Sequence, residues 1–183
     1  VIVMDEVCPN TNFDFGAKID VWLHDDLISV RGRPVPWGQF DENAAAGLCY
    51  TSGTTGKPKG VVYSHRSNYL HTMRSLQADS IALKSSDVVL VAVPMFHANG
   101  WGLPFAAPGA GAKIVLPGRN TDGARLAELM RRECVTLAVG VQTVWMGVVD
   151  HLEKTGGELP DLQRLLIGGS KCPDALIRRM EKC

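Results

Sequence analysis

A surplus of charge of either sign is missing from this sequence. Across 183 residues, 19 Lys and Arg balance 19 Asp and Glu, for a net charge of zero. That balance excludes binding to nucleic acid through a general field, which needs a basic surplus, and it argues against a polybasic membrane anchor. Long hydrophobic runs are missing as well. A membrane-spanning helix needs about 18 consecutive apolar residues, whereas the most apolar stretch, residues 88–96, is about half that and contains Pro94. The N-terminus has neither the basic region nor the apolar region of a signal peptide. Cysteine is sparse and unpaired in pattern: Cys8, Cys49, Cys134, Cys172 and Cys183 lie far apart with no Cys-x-x-Cys. That spacing excludes a zinc or dithiol motif and fits a reduced, intracellular chain in which Cys49, Cys134 and Cys172 are small packing residues. Internal repeats and low-complexity segments are also absent.

What is present suits a folded domain. The hydrophobic fraction is 45% and the mean hydropathy is +0.02, enough apolar material for a core. Residues 1–47 form a mixed lead-in segment, with a strand at 1–4, a turn at 9–12 and a loop at 31–38. Residues 48–183 are more regular. Strands are expected at 48–51, 60–64, 88–94, 113–116, 137–141 and 165–167. Ser64 is placed to cap a helix carrying Tyr69, Leu70, Met73 and Leu76, and Asp122 one with Leu126, Leu129, Met130 and Cys134 on one face. Val144, Trp145, Val148, Val149 and Leu152 make a further stripe, closed near Gly156. A last helix has Pro173 in its first turn. Strands of 4–6 residues alternating with helices of 10–14 predict an α/β fold: a largely parallel sheet covered by helices on both faces. The chain opens on an apolar run without Met and stops inside a helical pattern, so it reads as a piece of a longer protein.

One loop carries the chemistry: Tyr50-Thr51-Ser52-Gly53-Thr54-Thr55-Gly56-Lys57-Pro58-Lys59-Gly60. Glycines let the backbone approach a ligand, successive N–H groups form a nest for an anion, hydroxyls add donors and the lysines add charge. This is a composition suited to a polyphosphate. The loop is not a Walker motif, because Thr51 stands where the first glycine is needed and Pro58 where Ser or Thr is needed. Nor does it contain the Gly-x-Gly-x-x-Gly of a dinucleotide fold.

That string resembles the phosphate-loop signature of adenylate-forming enzymes, the superfamily of acyl-CoA synthetases, luciferases and peptide-synthetase adenylation domains. A second block, Val93-Pro94-Met95-Phe96-His97-Ala98-Asn99-Gly100-Trp101-Gly102-Leu103-Pro104-Phe105, is similar to the medium- and long-chain fatty acyl-CoA synthetase branch. Thr143-Val144-Trp145 and Leu165-Leu166-Ile167-Gly168-Gly169-Ser170 continue the similarity. Two departures stand near the pocket: Gln142 where the branch has proline, and Lys171-Cys172 where it has small residues.

The resemblance implies part of the large N-terminal domain of an ATP-dependent fatty acyl-CoA ligase. A carboxylate attacks the α-phosphate of ATP to give acyl-adenylate and pyrophosphate, and the thiolate of CoA then displaces AMP. On the matching positions, Thr51, Ser52, Gly53, Thr54, Thr55, Gly56, Lys57 and Lys59 hold the β- and γ-phosphates, with Lys59 acting in catalysis and Thr51 helping to ligate Mg²⁺. His97, with Ala98 beside it, orients the carboxylate. Trp101 gates the acyl tunnel, and Gly168, Gly169 and Ser170 lie against the adenine and acyl-adenylate. Without the family, His97 reads as a half-buried packing histidine, Trp101 as core and Gly168-Gly169 as an ordinary strand-to-helix turn. His24, His65, His71 and His151 fit surface or packing roles.

The family's Tyr-Gly-x-Thr-Glu motif, its ribose-binding Asp and its C-terminal catalytic Lys are not among these residues, so the chain alone is expected to be inactive. An aryl-CoA ligase is the alternative within the enzyme class, and a non-catalytic nucleotide- or acyl-binding fragment outside it. The implied partners are a fatty acid, ATP and CoA, in the cytoplasm, with peripheral membrane association and a homodimer left open.

Overall fold

The structure is a computed structural model and describes residues 2–3, 22–23, 38–51 and 57–182. Its contacts divide the chain into two compact units, Val1–Gln39 and Phe40–Cys183. In the first, β1 (Ile2–Val3) and β2 (Trp22–Leu23) pair in parallel. The turn read at 9–12 and most of the loop read at 31–38 lie outside the described residues.

The second unit begins with an antiparallel hairpin of β3 (Ala45–Thr51) and β4 (Lys59–Ser64). β3 starts three residues ahead of the strand expected from the sequence, because its pairing runs back to Ala45 opposite Ser64. The Ser64 hydroxyl accepts from the Ser67 N–H at 3.1 Å and caps α1 (His65–Ser75) as the sequence predicts. Of the apolar stripe read from the sequence, only Leu76, at the C-cap, packs against the core: Tyr69, Leu70 and Met73 are exposed, while Ser75 is buried. The helix instead turns its small side inward, with Thr72 against Gly109.

Next come β5 (Val88–Val91), a single turn at Ala98–Trp101, α2 (Leu103–Ala110), β6 (Lys113–Val115), α3 (Gly123–Arg132), β7 (Leu137–Val141), α4 (Gln142–Thr155), β8 (Arg164–Gly168) and α5 (Asp174–Met180). The four strands form one parallel sheet in the order β6-β5-β7-β8. Alternation along β5 feeds two cores. Leu90 points to one, with Leu126, Met130, Trp145 and Leu152 of α3 and α4. Val89 and Val91 point to the other, with Leu103, Ala106 and Ala107 of α2. Helices on both faces are what a parallel sheet requires, and they explain why β5 is apolar throughout.

The sequence analysis names no helix at α2, which contains Pro104 and Pro108. Pro104 sits in the first turn, where no N–H bond is needed, and the helix is short enough to forgo the bond at Pro108. Cys134 is corrected too. α3 ends at Arg132, and Cys134 is exposed with φ +54°. It occupies the left-handed position of a Schellman closure, in which Cys134 N–H donates to Arg131 O at 3.2 Å and Val135 N–H to Met130 O at 2.9 Å.

A buried ionic cluster braces the amino ends of the strands. Asp87, 4% exposed, accepts from the Lys84 N–H at 2.7 Å, from the Thr136 hydroxyl at 3.0 Å and from the Arg164 guanidinium. Arg164 also donates to the Ile81 and Ala82 carbonyls at 2.7 and 2.9 Å. At the end of the chain, Arg179 of α5 reaches Asp150 and Glu153 of α4 at 2.6 and 2.7 Å.

Candidate functional site

In an open α/β sheet, ligands bind outside the carboxyl ends of the strands, where the chain's direction of winding reverses. Here the winding passes from β5 outward to β6, then back across to β7 and β8, so the reversal falls between β5 and β7. The segments leaving that end are the ones singled out by the sequence. His97 to Gly102 follow β5, Gln142 follows β7, and Gly168 ends β8.

The segment after β5 has an unusual backbone. Five consecutive residues are left-handed, with φ of +45° at Ala98, +53° at Asn99, +63° at Gly100, +55° at Trp101 and +71° at Gly102. The His97 carbonyl closes the turn by accepting from the Gly100 and Trp101 N–H groups at 2.9 and 3.3 Å. Left-handed backbone costs a non-glycine residue roughly 1–2 kcal/mol, so Ala98 and Trp101 are held there by their surroundings. Trp101 shows how. Its indole lies on the backbone of Gly168, where a Cβ would stand 2.6 Å from the ring. Gly168 is thus required for a close approach, and Gly169 follows with φ +85°. At the far end of the turn, the His71 ring of α1 fills the space that a side chain at Gly102 would need, at 2.6 Å.

His97 is exposed, and its imidazole meets the Phe96 ring at a centroid distance of 4.9 Å. It is therefore not the half-buried packing histidine that a reading without the family favours. Ala98, Gly169 and Ser170 are also exposed. In the hairpin, Thr51 and Lys59 are direct cross-strand partners, and both are exposed, as is Lys57. Ser52, Gly53, Thr54, Thr55 and Gly56 lie outside the described residues.

The structure therefore joins Trp101, after β5, to Gly168, at the end of β8, across the intervening β7 and sets Thr51 opposite Lys59. The sequence does not single out Asn99 as a site residue, although it touches β3: its Oδ1 accepts from the Cys49 thiol at 3.1 Å. The Asn99-Gly100 dipeptide, itself a signal for left-handed backbone, was the available clue. An apolar cavity of about 640 Å³ lies between α4, α5 and β8, lined by Trp145, Leu165, Cys172 and Met180 among others, but by none of the residues read as the site.

For Mg²⁺ the donor set is thin. Thr51 offers one exposed hydroxyl, and among the described residues no three His, Cys, Asp or Glu side chains cluster. That suits a metal held chiefly by substrate phosphates and water, as Mg²⁺ usually is. No helix among the described residues is long and apolar enough to cross a membrane.

A doubly wound α/β domain is the class that this fold defines. The chain belongs to the family of AMP-binding enzymes, whose model matches residues 3–183. It is 48% identical over 155 residues to 3-methylmercaptopropionyl-CoA ligase of Ruegeria lacuscaerulensis, a match covering 85% of this chain and 29% of that protein. It is 46% identical over 181 residues to long-chain-fatty-acid–CoA ligase of Thermus thermophilus, covering 99% of this chain and 31% of that one. Among solved structures, O-succinylbenzoate coenzyme A synthetase from Bacillus subtilis in complex with ATP and magnesium ion matches with a TM-score of 0.75 at 27% identity, over 90% of this chain and 34% of that one. The chain thus spans under a third of the length of the curated relatives it matches.

Proposed function

We propose that the chain is part of an AMP-forming acyl-CoA ligase acting on fatty acids. The observation that carries this reading is the seating of Trp101 on Gly168. It puts the residue read as the acyl gate against the turn read as the adenylate cradle, at the end of the sheet where ligands bind. The similarity to two CoA ligases and to a synthetase bound to ATP supports it.

In this reading the hairpin positions the nucleotide. Lys59 and Lys57 offer charge to the β- and γ-phosphates, and the glycines and hydroxyls of residues 51–56 offer N–H and O–H donors. Mg²⁺, when bound with ATP, offsets phosphate charge, and Thr51 is the ligand this chain would supply. His97 donates a hydrogen bond that orients the substrate carboxylate towards the α-phosphate. The carboxylate oxygen forms the new bond to phosphorus as pyrophosphate leaves. The thiolate of CoA then attacks the acyl carbon, and AMP departs. Gly168, Gly169 and Ser170 offer close backbone contact to the adenylate, and Trp101 borders the acyl chain. A cytoplasmic location, with ATP and CoA as co-substrates, belongs to this reading.

A shorter thioether acid is a second reading, favoured by the 48% identical relative and its printed name. The experiment is ATP–pyrophosphate exchange by the full-length protein over a panel of acids: acetate, 3-methylmercaptopropionate, octanoate, palmitate and benzoate. Exchange rising towards the medium and long chains supports the fatty acyl reading. A maximum at the thioether acid supports the second, one at benzoate transfers the assignment to an aryl ligase, and no exchange with any acid overturns the proposal.

A further inference from the structure

Nothing in the proposed chemistry uses Asn99, yet the left-handed turn is pinned through it. We propose that Asn99 is a positioning residue that latches the phosphate-loop hairpin to the acyl-side turn, so that the ATP segment and the carboxylate segment move as one. The idea rests on the functional reading above for what the two segments bind, but the latch itself is a matter of geometry.

On the hairpin side, the Cys49 thiol donates to Asn99 Oδ1 at 3.1 Å. The same amide lies over Gly47, where a Cβ would stand 2.8 Å from Nδ2, 3.3 Å from Oδ1 and 3.4 Å from Cγ. Only glycine at position 47 admits that approach without displacing the amide. Residues 47, 49 and 51 share one face of a strand, since side chains alternate. Thr51, the first hydroxyl of the phosphate loop, is therefore the next residue along the face that holds Asn99.

On the acyl side, Asn99 stands two residues after His97 and two before Trp101. Its backbone is left-handed, φ +53° and ψ +45°, a conformation asparagine tolerates better than most residues. The turn is also held by Trp101 on Gly168 and by His71 against Gly102. It thus has one anchor each on β3, β8 and α1, and the β3 anchor is the one that leads to the phosphate loop. Cys49 is 6% exposed, so its hydrogen bond is largely shielded from competition by water.

Two measurements on the full-length protein test this. The first needs no turnover: the rate at which a maleimide labels Cys49, read by peptide mass spectrometry. Asn99→Gly keeps the left-handed backbone and removes the amide, and it should speed labelling by about 2- to 10-fold, the equivalent of one lost hydrogen bond. Gly47→Ala, which pushes the amide away from the other side, should do the same. The second is the ratio of the acid's KM at low ATP to that at saturating ATP, measured by pyrophosphate exchange. In the wild type this ratio should exceed one. It should fall towards one in Asn99→Gly, Gly47→Ala and Cys49→Ala, and be retained in Cys49→Ser, which keeps a donor.

Wild-type labelling in both Asn99→Gly and Gly47→Ala overturns the latch, whether or not the enzyme adenylates. Faster labelling with an unchanged KM ratio, or a wild-type ratio of one, overturns the positioning role and leaves packing alone. Absence of exchange by the wild type with every acid overturns the functional reading instead, and the labelling rate still decides whether the latch exists.

Discussion

At the scale of single residues, Lys59 and the Trp101–Gly168 pair make the sharpest claims. Lys59 is exposed opposite Thr51, free of the core, so its removal tests charge rather than folding. Lys59→Ala should slow ATP–pyrophosphate exchange by roughly 10- to 150-fold, the loss of one charge-assisted phosphate contact worth about 1.5–3 kcal/mol. An unchanged rate with an intact circular dichroism spectrum would remove Lys59 from the phosphate site. Gly168→Ala puts a methyl where the indole of Trp101 now lies, 2.6 Å from its nearest atom. The ring must shift, and the preferred acid length should shift with it while the KM for ATP changes little. Trp101→Ala should alter the same profile in the same assay. Each buried methylene is worth about 0.8 kcal/mol, so a changed acyl wall is felt across a homologous series of acids. Equal effects of these variants on all chain lengths would argue against an acyl contact.

At the scale of elements, the cluster around Asp87 ties the loop before β5 to β7 and β8. Burial pushes the Asp87 carboxyl up. The hydrogen bonds from Arg164, the Lys84 N–H and Thr136, together with the Arg164 charge, outweigh that and hold it below the ordinary carboxylate range. A depressed folded pKa means stability that is fully present above the unfolded value, about 3.9, and lost as pH falls through the folded one. Urea denaturation of the full-length protein should therefore show wild type losing stability below about pH 4, with Asp87→Asn showing a shallower dependence over the same window. Asp87→Ala should cost about 1–3 kcal/mol at neutral pH, because it leaves the Lys84 N–H without its acceptor and the Arg164 guanidinium without its carboxylate. A wild-type midpoint insensitive to acid, or an Asp87→Ala midpoint equal to wild type, would show that the cluster adds nothing. The cluster sits at the amino ends of the strands, and the left-handed turn from Ala98 to Gly102 sits at their carboxyl ends.

At the scale of the whole molecule, the described surface keeps apolar side chains in the open. Leu48, Tyr50 and Val62 are exposed on the hairpin, and Tyr69, Leu70 and Met73 on α1. Leu48 and Val62 are cross-strand partners, so they share one face, and Tyr50 follows two residues on. A face of this kind predicts concentration-dependent association of the 183-residue chain, measurable by light scattering. Replacing Leu48, Tyr50 and Val62 together with Thr should suppress it, because the residues remain good strand formers while losing apolar area. Association unaltered by that change would place the sticky surface elsewhere.

Much of this molecule was determined by its sequence alone, because the signals were local. Alternation of short apolar runs with capped helical stripes is enough for a helix-covered parallel sheet, and Ser64 and Asp122 cap the helices they precede. The glycine- and threonine-rich loop and the His97 to Trp101 block are contiguous, so the AMP-binding family was legible before any fold was known. What only the tertiary structure decided are contacts between segments far apart in the chain. The side of α1 that faces inward was settled by Thr72 meeting Gly109, against its own apolar pattern. Asn99 on Cys49 and Trp101 on Gly168 join residues 50 and 67 positions apart, and no local periodicity encodes such pairs. The left-handed run from Ala98 to Gly102 is of the same kind, since backbone that costs energy residue by residue persists only where packing from several elements holds it.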